Sequence, residues 1–375
     1  MSSFDANQWV NSFASSGGSR AVAERLAKRA QGLPVEEDKP ATTQQSQDLF
    51  DTTPAAPAPS AVVEVKPTRP AAVRRGRKPR AMNATPPTQQ ELDLFQLSME
   101  IDEKNARESG DLAFIATSMI YASLPHSEIE GGIYKRTNGI ISLTIMNDPD
   151  IGLPYGKIPR LVTAFLCTEA RKYHETRGPV VHLGKSQKEL MGKLGLSSSG
   201  GKRGDMTRYN EQIKRLLTSN ITLIGQPGSE FHYKKVDISS QGMLLWNPHN
   251  IEEKSPWQST LTLSQSFFDE CKNHSVPMDW RVLHAMRSPL AIDIYIWLTY
   301  RYNSLKYQTP ISWKQLKWQF GSNYSETPQG ARDFKTNFIK QLRSVLAVYR
   351  DAKVDTTQDA LILFPSKPHI PYKID

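Results

Sequence analysis

Residues 178–186, GPVVHLGKS, end in the glycine-lysine-serine that opens many phosphate-binding loops, where successive backbone N–H groups cradle a nucleotide. That chemistry needs four residues between the first glycine and the Gly-Lys pair. Gly178 and Gly184 enclose Pro179, Val180, Val181, His182 and Leu183, one residue too many. Pro179 has no N–H to give, and the two valines favour extended chain. The stretch predicts a short strand running into a helix that Ser186 and Glu189 open as a capping box. Other reactive side chains are spaced no better. The eight histidines, at 126, 174, 182, 232, 249, 274, 284 and 369, never stand two apart. The His-apolar-His strand that holds a metal beside a nucleophilic tyrosine is therefore missing. His182, in the expected strand, reads as a core or edge residue, and the 13 tyrosines lack a base and metal to activate one of them. Neither H-E-x-x-H nor metal-spaced cysteines occur. The expectation is a protein without enzymatic activity, cofactor or metal, whose chemistry is recognition.

Lysine and arginine number 47 against 38 acidic residues, a net charge of +9 with a pI near 9.3. That balance favours an anionic partner such as nucleic acid or an acidic membrane surface, although a basic soluble protein would share it. No run approaches the roughly 18 consecutive apolar residues of a membrane span, and MSSFDANQW is no signal peptide. Cys167 and Cys271, each in an apolar helix-like stretch, fit a reducing cytoplasm rather than a structural zinc site or a disulfide framework. Residues 1–90 hold ten of the 25 prolines but only four aromatics, Phe4, Trp9, Phe13 and Phe50. So little apolar bulk cannot offset the entropy of ordering them, and a largely disordered Pro/Ala-rich basic tail is expected. Within it, SRAVAERLAKRAQGL has helical spacing.

From residue 91 the pattern is globular. GIYKRTNGIISLTIM carries an Asn138-Gly139 pair between apolar runs, a hairpin signal, and IPRLVTAFLCTEARKYH follows with helical spacing. An internal repeat then appears. SQKELMGKLG at 186–195 and SWKQLKWQFG at 312–321 share serine, lysine, leucine and the closing glycine at an offset of 126. At that same offset IKRL (213–216) aligns with IKQL (339–342). Each copy predicts a capped helix, a glycine-containing connection, a longer basic helix and then paired strands: ITLIGQPGSEFHYKKVDISSQGMLLW in the first copy, AKVDTTQDALILF in the second. Helix, turn, helix and β-hairpin is the layout of a winged helix. The expected fold is α+β, with two tandem winged-helix domains at 91–250 and 251–375 behind the tail.

The second helix of each copy is the candidate DNA reader. Met206, Tyr209, Ile213, Leu216 and Leu217 form an apolar stripe in the first, and Phe334, Phe338, Leu342 and Val345 in the second. The other side carries Thr207, Arg208, Glu211, Lys214 and Arg215, with Lys202 and Arg203 just upstream, and in the second copy Arg332, Lys335, Thr336, Lys340 and Arg343. Such cations can hold phosphates or read guanine edges in the major groove. A solvated basic face is the competing reading for either helix alone; two helices in matched positions favour DNA.

At these residues the sequence resembles the RepA-type plasmid replication initiators. The matching pieces are GLPYGKIPRLVTAFLCTEA (152–170), LGKSQKELMGKLGLSSSGG (183–201), SPLAIDIYIWLTYR (288–301) and ALILFPSKPHIP (360–371), a coverage of about residues 110–371. The resemblance implies a protein that binds repeated double-stranded sites at a plasmid origin, opens adjacent AT-rich duplex and recruits host replication proteins, among them an initiator and a helicase. It also implies a monomer–dimer equilibrium and a plasmid-associated place in the cytoplasm. A transcriptional regulator of the same architecture is the alternative, and a nucleotide-driven machine built on Gly184, Lys185 and Ser186 the more distant one.

Two shorter signals remain. RRGRKPR (Arg74, Arg75, Arg77, Lys78, Arg80) resembles an AT-hook, a minor-groove arm, except that Lys78 interrupts its glycine-arginine-proline core. Non-specific phosphate attraction is the simpler reading. ELDLF (Glu91, Leu92, Asp93, Leu94, Phe95) resembles the pentapeptide with which bacterial replication proteins dock on the sliding clamp, Leu94 and Phe95 being the anchors; QDLF (47–50) is a poorer match. Against clamp docking, TQQE (88–91) is itself a capping box, and LFQLSMEI continues at helical spacing into a buried helix.

Overall fold

The computed structural model describes residues 88–138, 141–197, 199, 204–225, 231–243 and 259–371. The expected tail arm (Arg74, Arg75, Arg77, Lys78, Arg80), the SRAVAERLAKRAQGL and QDLF segments, and Lys202 and Arg203 lie outside them. The described chain opens with α1 (Gln89–Glu103), α2 (Ala106–Ser109), β1 (Leu112–Ala116), α3 (Thr117–Tyr121) and the strands β2 (Ile133–Asn138) and β3 (Ile141–Met146). A first repeat follows as α4 (Lys157–Arg177), β4 (Val180–Gly184), α5 (Gln187–Lys193) and α6 (Asp205–Thr218). Next come β5 (Asn220–Gly225), β6 (His232–Lys235), β7 (Ser239–Met243), β8 (Ser259–Leu263), α7 (Gln265–Asn273), β9 (Ser275–Asp279) and α8 (Trp280–Ala285). The second repeat is α9 (Pro289–Ser304), β10 (Thr309–Ser312), α10 (Trp313–Phe320), α11 (Pro328–Val348), β11 (Val354–Thr356) and β12 (Ala360–Leu363).

The two repeats fold alike. Ser186 caps α5 by accepting the Glu189 N–H, and Ser312 caps α10 by accepting that of Gln315. Four residues into each motif Leu190 and Leu316 are buried, and at the motif's end so are Leu194 and Phe320. Each capped helix leads to the longer one, and each repeat closes with a three-stranded antiparallel sheet in the order first-third-second: β4-β8-β7 and β10-β12-β11. Helix, strand, two helices and a two-strand wing on the first strand is the winged-helix arrangement, present twice in an α+β chain. The GKS stretch is β4 entering α5, as its valines predict. Glu189 departs from the expected capping box: its carboxylate accepts the Lys185 N–H at 3.0 Å. Gly184, at φ +102°, allows this, because a Cβ there would lie 3.0 Å from the Glu189 carboxyl carbon.

The strands after α6 differ from the expectation. ITLIGQPGSEFHYKKVDISSQGMLLW supplies three strands to two sheets. β5 and β6 extend the β2–β3 hairpin into a four-stranded sheet, β2-β3-β5-β6, while the first wing is β7 with β8. The reason is register: Ile221 and Leu223 on β5 alternate in step with Leu143 and Ile145 on β3, so one pleat buries both strands. The expected domain boundary at 250/251 is corrected with it. β8, beyond that boundary, completes the first wing, and β9 pairs with β1 from the other side of it. Both cysteines are free and buried, and burial together with neighbouring Cys167 pushes the Cys271 thiol up. No helix among the described residues is long and apolar enough to cross a membrane.

Candidate nucleic-acid interface

The long helices α6 and α11 each bury one face. On α11 Phe334, Phe338, Leu342 and Val345 are all buried, and the Phe338 ring meets those of both Phe320 and Phe334. At about 100° per residue, Arg332, Thr336, Lys340 and Arg343 fall within a sector of about 80° on the opposite side. All four are exposed. Thr327 caps the helix and Pro328 occupies its first turn, so the stripe begins at a fixed point. Asp333 is the acidic residue of α11, and it accepts a hydrogen bond from Gln329.

Lys335 belongs elsewhere. Its ammonium lies 4.7 Å from the Trp313 ring centroid and donates to the carbonyls of Thr357 and Gln358, at 3.1 and 2.7 Å. It pins the tip of the second wing to the helix, which leaves that charge little for a phosphate. The tip itself offers no cation: Asp355, Thr356, Thr357, Gln358 and Asp359 are its exposed residues. Any DNA contact by this unit is led by the helix.

On α6 the expected set is thinner. Tyr209, Ile213 and Leu216 are buried, and Met206 and Leu217 pack partly buried against them. The face directly opposite carries Thr207, Glu211, Lys214 and Thr218, so Lys214 is its cation, beside an acid. Arg208 is exposed but ion-paired at 2.5 Å with Asp205 in the same first turn. Arg215 is a correction. Its side chain is 16% exposed, pairs with Glu128 at 2.9 Å and lies 5.3 Å over the Tyr155 ring. Its position is about 70° from the outward direction, on the side of α6 from which a long side chain reaches back to the loop before α4.

The ELDLF segment is helical. The Thr88–Glu91 capping box is formed, with the Glu91 carboxylate accepting the Thr88 N–H at 2.8 Å. Leu94 is 1% exposed in the core while Phe95 is 53% exposed, so the two expected anchors diverge and cannot enter one pocket. Asp93 accepts from Gln89, and Leu92 is exposed. The segment thus takes the helical form that its capping box and spacing favour over clamp docking.

Sequence reasoning missed the group that joins the two repeats. Arg160 on α4 and Asp293 on α9 are both buried, and the guanidinium meets the carboxylate twice, at 2.6 and 2.7 Å. Arg160 also donates to the carbonyls of Leu124, Pro125 and Gly156, and His126 donates to Asp293 at 2.9 Å. Burial alone would raise the Asp293 carboxyl, but the Arg160 charge and the hydrogen bonds from Arg160 and His126 reverse this and hold it well below the usual carboxylate range. The signal was present: one arginine and one aspartate inside predominantly apolar stretches, Arg160 in IPRLVTAFL and Asp293 in SPLAIDIYIW.

Two solved structures are similar in fold. A crystal structure of RctB domains 2-3 matches with 12% identity and a TM-score of 0.43, covering 66% of this chain and 96% of that one. A selenomethionine form of domain 2 and domain 3 of RctB matches with 14% identity and a TM-score of 0.44 over the same shares. No curated protein matches the chain at a significant level. The RepA_C family model, described as plasmid encoded RepA protein, matches residues 153–317, a narrower span than the expected 110–371 that stops within α10. Across that span, from the loop before α4 through the first winged helix and into the second, the chain is similar to the RepA_C region of plasmid-encoded RepA proteins.

Proposed function

We propose that the protein initiates plasmid replication by binding repeated duplex sites at the plasmid origin, opening neighbouring AT-rich DNA and recruiting host replication proteins, with no catalytic step of its own. The observation that carries this reading is the exposed stripe Arg332, Thr336, Lys340 and Arg343 on the long helix of a winged helix, in a chain of net charge +9 that is similar to the RepA_C region. A helix of that shape fits the major groove, and its cations neutralise phosphates or meet guanine edges. Two such helices, in units tied together by the Arg160–Asp293 pair, would engage repeats at one spacing. Footprinting on the DNA flanking the gene tests the reading. Protected repeats, together with loss of the plasmid when the gene is deleted, are the expected result. A plasmid that persists without the gene would leave a transcriptional regulator instead.

A further inference from the structure

The sheet β2-β3-β5-β6 buries one face and leaves the other open. Its inner side carries Tyr134, Ile141, Leu143, Ile145, Ile221 and Leu223, all buried. The outer side runs across the strands through Lys135, Thr144 and Thr222 to Lys235, and through Thr137, Ser142 and Ile224 to Tyr233. Every one of these is exposed or half-buried, as are Ile133, Met146 and Asn220. An open face on an antiparallel sheet is ordinary; its composition is not. Among the described residues it bears two lysines and no aspartate or glutamate. It also exposes two large rings on its outermost strand edge, Phe231 at 60% and Tyr233 at 64%, with centroids 6.0 Å apart.

Beyond the β2 edge the face continues into a groove of about 430 Å³ between β2 and α10. Ile133, Lys135 and Thr137 form one wall, and Lys317 and the exposed Trp318 the other. Glu326 in this groove is paired with Lys317 at 2.8 Å, and the Lys314 ammonium lies 5.0 Å from the Trp318 ring centroid. The two aromatic stations thus stand at opposite edges of the sheet, three strand spacings or roughly 14 Å apart before the groove is added.

We propose that this face is a second nucleic-acid site, a platform for single-stranded DNA. Unpaired bases stack on Phe231 and Tyr233 at one edge and Trp318 at the other, while Lys235 and Lys135 hold the phosphates between. Stacking selects the single strand, because in a duplex each base covers its neighbour's face and leaves no ring free. A four-stranded face is also broader than the helix or two-stranded ribbon that a major groove admits. Hydroxyls of Thr137, Ser142, Thr144 and Thr222 suit a backbone of any sequence. The inference rests on the reading of the chain as an origin-opening protein, and it gives the opened strand a place separate from α11.

The test compares the full chain with Phe231→Ala/Tyr233→Ala, using fluorescence anisotropy with a labelled oligothymidylate and, separately, duplex carrying the origin repeats. The double variant is expected to lose at least about ten-fold in oligothymidylate affinity, with duplex affinity and Tm unchanged. Phe231→Trp/Tyr233→Trp should keep binding, since any large ring can stack. Unchanged oligothymidylate affinity in the alanine variant overturns the proposal, as does a parallel fall for both DNAs. Self-association that the alanine variant abolishes, with no oligothymidylate bound by the parent, would assign the face to a second copy of the chain and overturn it too. If the parent binds oligothymidylate but no origin duplex, the origin reading fails and the platform stands.

Discussion

A guanidinium already holding a carboxylate has little left for a phosphate. Arg215 and Lys340 are both cations on the long helix of a winged helix, yet their surroundings give them opposite tasks. Arg215 spans the loop before α4, with Glu128 as its ion partner and Tyr155 beneath it. Glu128 is 59% exposed, so the pair is screened and contributes at most about 1 kcal/mol, with a similar amount from the aromatic contact. Arg215→Ala should therefore lower Tm by a few degrees and leave DNA affinity untouched. Lys340→Ala/Arg343→Ala should do the reverse. With two phosphate contacts gone, the slope of log affinity against log salt should become shallower by about 1.8, at constant Tm. Binding isotherms at several salt concentrations separate the two variants. An unchanged slope for the second would remove α11 from the interface.

The elements owe their limits to a few capping and turn residues, and these can be tested one at a time. Ser186→Ala and Ser312→Ala each remove the side-chain acceptor for a helix-opening N–H, and each should cost about 1 kcal/mol in denaturant unfolding. Matched losses would show the two repeats using one device; a loss confined to one would show that they do not. These caps, the β2–β3 hairpin and the apolar stripes of α6 and α11 were legible in the sequence, because short-range spacing decides them. The partner of each strand was not. Wing strands β7 and β8 are separated by residues 244–258, and β5–β6 goes to a sheet begun some eighty residues earlier. The candidate cations were legible as a set, but Lys335 and Arg215 left it because their partners, the wing carbonyls and Glu128, come from distant parts of the chain.

At the scale of the whole molecule, the Arg160–Asp293–His126 group joins the leading helices of the two repeats, so the spacing of α6 and α11 rests on an ion pair out of water. Such a pair is costly to break by halves. Asp293→Asn leaves the Arg160 charge buried with a neutral partner and should cost on the order of 3–5 kcal/mol. Buried titratable groups, this one among them, make the fold acid-sensitive. Burial lowers the pKa of His126, and likewise of His284 and His369, so the folded chain keeps all three neutral where the unfolded chain takes up protons. Their contribution is complete above about pH 6.5 and declines as pH falls toward their lowered folded values. Asp293 adds a second stage: its folded pKa is depressed, so its contribution persists above about pH 4 and is lost as pH falls further. Thermal melts from pH 7.5 to 3.5 should show Tm declining from about pH 6.5 and more steeply below about pH 4. A curve flat between pH 7 and 5 would mean these histidines charge in place, and the packing that holds the two repeats would then have to open to water.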